Sequence, residues 1–229
     1  MNKKISSYLY RLIKLNFGLA LYALGIYFCV SANIGLAPWD ALNQGVTNLS
    51  GLSFGTVIIL IGVVILVADI FLKEKLGVGS ILNMLLIGYF YDLIAYLFPI
   101  PQLNNFILGV AIMLLGQFTI CIASYFYIGA EMGCGPRDAL MVALHKRFPK
   151  LGIGGVRGII EGSVLLVGWL LGAKVGLGTA MNVFGISIML QLTFKFLNFE
   201  VSEIKHESIL DTIKNLRNIK VIGGKKAKL

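Results

Sequence analysis

The chain has 229 residues, 57% of them hydrophobic and 14% charged, with mean hydropathy +0.85 and net charge +9. A soluble domain carries about 25% charged residues, so this chain belongs in a bilayer, and no soluble catalytic domain fits in what the apolar runs leave. The basic excess sits between and beyond those runs, which makes it a topology signal and argues against nucleic-acid binding.

The chain opens on a basic segment, 1–14, with Lys3, Lys4, Arg11 and Lys14. The run 13–32 reaches the roughly 20 residues that cross a bilayer. Its end, Val30-Ser31-Ala32, has the small residues of a leader cleavage site. The run is long for a leader, and a cut would remove half of a repeated unit, so it reads as a retained span. Further spans follow at 54–72, 77–98, 106–128, 153–172 and 175–197. The connection 33–53 has no Lys or Arg, whereas Lys73 and Lys75 follow the second span and Arg137, Lys146, Arg147 and Lys150 follow the fourth. That alternation predicts both termini in the cytoplasm. The tail, 198–229, is basic again, and 202–219 has the spacing of an amphipathic helix lying on anionic lipid headgroups.

The connection after the first span begins "NIGLAPWDALNQG", and the one after the fourth begins "EMGCGPRDALMVA". Gly35, Pro38, Asp40, Ala41 and Leu42 recur 98 positions on as Gly133, Pro136, Asp138, Ala139 and Leu140. Gly18 matches Gly116, and "KLGVGSILN" (75–83) matches "KVGLGTAMN" (174–182) at an offset of 99. The chain therefore reads as two membrane units, 15–98 and 106–197. Each unit has three spans, an odd number, so the second enters the membrane from the opposite side. The fold expected is all-α, with six transmembrane helices as two inverted three-helix repeats and paired helix breaks, a recurrent transporter architecture.

Gly-x-x-Pro-x-Asp is a helix start. Pro suits the first helical position, Asp in the first turn faces the positive end of the dipole, and Gly permits the preceding bend. Two arrangements are open. The motifs are broken or re-entrant helices whose N-termini converge on a cavity and can hold an anion, or they are interfacial hairpins that only connect spans.

"GLAPWDAL", "LSFGTVIILIGV" and "GVGSILNMLLIGYFYD" resemble the YczE/YyaS/YitT family of bacterial integral membrane proteins over about 15–197. The resemblance implies a multi-pass protein of the bacterial plasma membrane and implies no substrate. The tail is too short for the soluble C-terminal domain of the longer relatives.

Polar residues within spans mark pathways or structural pairs. Arg157 and Glu161 are four apart on one helix face. A self-neutralising pair is the plainer account, but unit one has Ile58 and Gly62 there, an asymmetry that favours function. Asp92 follows Tyr89 and Tyr91 and reads as an interface anchor or a titratable group. Asn33 and Glu131 stand at the mouths of the two motifs. Asn83 and Asn182 are better read as helix-to-helix glue than as ligand groups. Gly77, Gly79, Gly176 and Gly178 predict tight turns into the third and sixth spans. Asp69 and Lys73 read as an interface pair. Cys29, Cys121 and Cys134 show no CxxC pairing, and His145 and His206 stand alone, so no metal, cofactor or disulfide frame is expected.

The pathway candidates are thus Pro38, Asp40, Asn33, Glu131, Pro136, Arg137, Asp138, Arg157, Glu161, Asp92, Asn83 and Asn182. The expected function is a small secondary transporter or permease for a small, anionic or amphipathic solute or ion. The alternative is a non-catalytic membrane accessory or scaffold. An enzyme is not expected. A homo-oligomer is open, and nucleic acid is not an expected partner.

Overall fold

The computed structural model describes residues 3–101, 103–201, 204, 206–212 and 214, with side chains from Ser6 onward. Among them the fold is all-α. The helices are α1 (Lys3–Ser31), α2 (Pro38–Ser50), α3 (Phe54–Phe71), α4 (Val78–Leu97), α5 (Phe106–Ile128), α6 (Pro136–Arg147), α7 (Gly152–Leu170), α8 (Leu177–Ala180) and α9 (Ile186–Phe196). A π-helical turn, Met181–Gly185, joins the last two. Six stretches are long and apolar enough to cross a membrane: Ser6–Ser31, Phe54–Phe71, Val78–Leu97, Phe106–Ile128, Pro149–Leu170 and Leu177–Phe196. These agree with the expected spans except that the first begins earlier, because the basic segment continues as helix into α1, and the fifth begins at Pro149 rather than 153.

The centre is the crossing of α1 and α5. A Cβ on Gly18 would lie 2.8 Å from Tyr127 N, and one on Gly116 would lie 2.8 Å from Gly25 O. Lys14 Nζ reaches Gly129 O at the other end of the contact. Rising numbers on α1 meet falling numbers on α5, so the two helices run antiparallel. Small residues let their backbones touch, which is how helices bind where lipid removes the hydrophobic drive.

α2 and α6 start as their sequence dictates. Each has Pro in its first turn together with Asp40 or Asp138. The chain before them takes the same path twice. Asn33 and Glu131 have φ of 56° and 59°, and Gly35 and Gly133 have φ of 132° and 126°. The last pair needs glycine for its conformation.

Gly77, Gly79, Gly176 and Gly178 do not serve as left-handed turns. They permit a reciprocal contact between the units. Gly79 N donates to Met132 O at 2.7 Å, and Gly178 N donates to Ile34 O at 2.9 Å. Each unit's turn thereby accepts from the helix start of the other. Ser80 and Thr179 complete their own helix starts by accepting from Gly77 N (3.1 Å) and Gly176 N (3.2 Å).

Asp69 forms no interface pair with Lys73. Its carboxylate is buried, and neither oxygen has a hydrogen-bond partner among the described residues. The expected tail helix, 202–219, lies largely outside the described residues. The described part crosses the end of the bundle, where Glu207 N donates to Glu131 O (3.0 Å) and Ile209 N to Leu76 O (2.9 Å).

A candidate functional site between the two motifs

The first turns of α2 and α6 reach one region beside the middle of α1. Arg137 Cζ sits 4.8 Å from the ring centre of Trp39, a cation–π contact between the two motifs. Three adjoining cavities of about 100, 140 and 120 Å³ surround this contact. Tyr22 and Arg137 line all three. The two motifs thus meet in one region of the structure.

Most of the sequence candidates meet here. Pro136, Asp138 and Asn83 line the first cavity, which α1, α3, α4, α5 and α6 enclose. Arg157, Glu161 and Asp138 line the second. Pro38, Asp40, Asn182, Arg157 and Glu161 line the third. Arg157 Nε donates to Glu161 Oε1 at 2.7 Å, so that pair is formed and also faces the cavities. Asn182 Oδ1 accepts from Gln117 Nε2 (3.1 Å), the helix-to-helix tie expected of it, whereas Asn83 makes no hydrogen bond among the described residues.

Three candidates lie elsewhere. Asn33 bonds Leu103 O (3.1 Å) and accepts from Lys174 Nζ (2.9 Å), in a separate open recess of about 320 Å³. Glu131 stands 3.7 Å from Arg11 at the opposite end. Both occupy the turn one step before the motif descends, so they flank the motif's mouth and not the cavity. Asp92 accepts from Ser53 Oγ (2.5 Å) and Gly55 N (2.8 Å), which clamps α4 to the start of α3. Its carboxylate is consumed there.

Four contributors escaped the sequence search. Tyr22 and Tyr127 are ordinary aromatic residues of spans, and nothing in their spacing marks them. Trp39 lay inside the quoted motif, but it does not repeat. Gln117 is 0% exposed in α5, and its Nε2 donates to Met181 O (3.1 Å) at the start of the π turn. A buried amide in a spanning run was its available signal. Cys134, just before α6, is held as a thiol, its pKa pushed up to about 11 by burial.

The two halves differ in their packing. In unit one, Gly55 and Gly88 pack so closely that each carbonyl oxygen fills the space of the other's missing Cβ. Their neighbour Gly62 would put a Cβ 3.4 Å from Met84 Cβ. In unit two, Gly154, Gly158 and Gly162 of α7 have nothing within 4 Å of a built Cβ. Gln191, the counterpart of Asp92, makes no hydrogen bond among the described residues. The α3–α4 pair is closed and the α7–α9 pair is open, on the side where Arg157 and Glu161 face the cavities.

Residues 9–195 match the family described as "Family of unknown function (DUF6198)". An uncharacterized protein of Haemophilus influenzae is 31% identical over 190 residues, covering 83% of this chain and 84% of that protein. The uncharacterized membrane protein YczE of Bacillus subtilis is 28% identical over 191 residues, covering 81% and 87%. YyaS of the same organism is 24% identical over 170 residues, covering 72% and 83%. No solved structure matches the chain.

Proposed function

The chain belongs to the family of unknown function DUF6198, as an integral membrane protein, and we propose that it is a small secondary transporter of the bacterial plasma membrane. In this reading the units sit inverted in the bilayer, both termini are cytoplasmic, and the cavities around Arg137 form the transport site. The chemistry is binding and release, with no covalent step.

The observation that carries this reading is the unequal state of two equivalent halves around one cavity system. Related sequences in related positions have nearly equal energies in either role. Unit two keeps Gly154 where unit one has Gly55 but carries Ser187 and Glu161 where unit one has Gly88 and Gly62, so a looser closure is available to α7–α9, and the reverse opening is available to α3–α4. Exchange of these roles moves the access path from one side of the site to the other, as inverted repeats do in alternating access. The Asp92 clamp then belongs to the closed state of unit one.

Disulfide trapping tests it. In a background with Cys29, Cys121 and Cys134 replaced by alanine, Gly62→Cys with Met84→Cys has the Cβ separation of a disulfide. This pair should crosslink the closed unit one. Gly154→Cys with Gln191→Cys should crosslink only after unit two closes. Both bonds are expected to form, each in a fraction of molecules, and each to stop solute flux in liposomes. If the second pair never crosslinks under any solute condition, the two-state reading fails.

The bare face of α7 supports a second reading, a scaffold whose partner helix covers Gly154, Gly158 and Gly162. That protein would copurify with a stable membrane partner and would keep its role with both crosslinks in place.

A further inference from the structure

This inference rests on the transport reading and names the solute's charge. Several polar groups at the cavities lack partners. Asp40 is 6% exposed, and among the described residues its Oδ1 has no hydrogen-bond partner. The Tyr127 hydroxyl, buried beside the first cavity, has none either. A Cβ built on Gly135 would lie 3.3 Å from Tyr127 Oη, 3.4 Å from Asp138 Oδ2 and 3.7 Å from Asn83 Nδ2. A phenol, a carboxylate and an amide from α5, α6 and α4 thus surround the one point where a methyl group is missing. The backbone does not require glycine there, since φ is −63°, and the equivalent residue in unit one is Ala37.

The charges decide what this space accepts. Asp40, Asp138 and Glu161 face Arg137 and Arg157. Arg157 and Glu161 neutralise each other at 2.7 Å. Two carboxylates remain against one guanidinium, and that guanidinium lies over Trp39. The helix N-termini that might have drawn an anion already face their own Asp40 and Asp138. An added anion would bury a second uncompensated negative charge, whereas a cation removes the first.

We propose that the cavity binds a small solute through a protonated amine, seated at Gly135 among Asp138, Tyr127 and Asn83. The ammonium donates to the carboxylate, to the phenolic oxygen and to the amide oxygen of Asn83 turned toward it. Asp40 balances Arg137 across the site.

Trp39 reports on this through Arg137, which stacks on it and lines the same cavity. The chain has two tryptophans, so Trp169→Phe leaves Trp39 as the sole indole in the purified protein. Benzylammonium, benzoate and benzyl alcohol share a ring and differ in charge. Benzylammonium should change Trp39 emission saturably at constant ionic strength, and the other two should not. Asp138→Asn should weaken it at least tenfold, and Gly135→Ala about fivefold, with elution profile and melting midpoint preserved. Saturation by benzoate in place of benzylammonium, no saturable response, or an unchanged benzylammonium affinity in both variants would overturn the proposal. The outcome is separable from the crosslinking test. Two trapped states without amine binding leave transport standing and sink the amine. Amine binding with one trapped state does the reverse.

Discussion

Trp39 and Arg137 occupy the same position of the repeat, 98 residues apart, and they touch, with the guanidinium carbon 4.8 Å from the indole centre. In the proposed two-fold arrangement equivalent residues meet only beside the axis, which is where this contact would then lie. The sequence has diverged at that point. Two arginines there would repel and two tryptophans would carry no charge, whereas one of each gives an attractive contact and an asymmetric site.

Arg137→Lys tests the planar group separately from the charge. Lysine keeps the cation but loses the fork and the stacking. The cation–π contact contributes about 0.5–2 kcal/mol by its degree of desolvation, so the melting midpoint should move by only a few degrees. Solute flux in liposomes should fall at least tenfold, because Arg137 lines every cavity of the site. Wild-type flux in this variant would remove Arg137 from the pathway.

Asp92→Asn should behave in the opposite way. The carboxylate accepts hydrogen bonds from Ser53 Oγ and from Gly55 N. Their loss costs about 1.5–3 kcal/mol each at most, and the amide oxygen retains part of it. Thermal unfolding in detergent should begin several degrees lower, with solute affinity at the central cavity unchanged. A loss of affinity with normal stability would return Asp92 to the site.

These two residues show what was legible in the sequence. Arg137 was readable because it is a charge inside a motif written twice. Asp92 was visible as a charge in a span, but its role depends on α3 passing beside it, a tertiary fact with no local signature. The same holds for Gly77 and Gly79. Their spacing signals a turn, yet the reason for glycine is the backbone of Met132, which is remote in sequence and close in space. Span positions followed from hydropathy alone. Tyr22 and Tyr127 remained hidden because apolar periodicity does not distinguish a ring that packs from a ring that lines a cavity.

The α1–α5 crossing should tolerate no added volume. A Cβ on Gly25 would lie 2.6 Å from the Ile120 side chain and 2.8 Å from Gly116 O, and backbone does not yield as a side-chain tip does. Gly25→Leu is expected to destabilise by more than the roughly 1–3 kcal/mol of ordinary overpacking, seen as lost monodisperse expression. Gly158→Leu on the open face of α7 should express normally, since nothing lies within 4 Å of a Cβ there. Equal behaviour of the two variants would contradict the central crossing.

The reciprocal turn contacts make a graded prediction. Ser80 Oγ does two jobs, accepting from Gly77 N at 3.1 Å and donating to Cys134 O at 2.6 Å. Thr179 Oγ1 does one, accepting from Gly176 N at 3.2 Å. Ser80→Ala leaves a buried donor and an acceptor of the opposite unit unpaired, and Thr179→Val leaves a single donor. Each orphaned group costs about 1–3 kcal/mol, so Ser80→Ala should lower unfolding free energy in mixed micelles by roughly twice as much. The two hydroxyls act at different turn–helix contacts and share no partner, so the double variant should equal the sum of the singles within about 0.5 kcal/mol. A large coupling between them would mean that the two contacts form as one cooperative element. Closing one half would then strain the other, and the halves would exchange states together rather than independently.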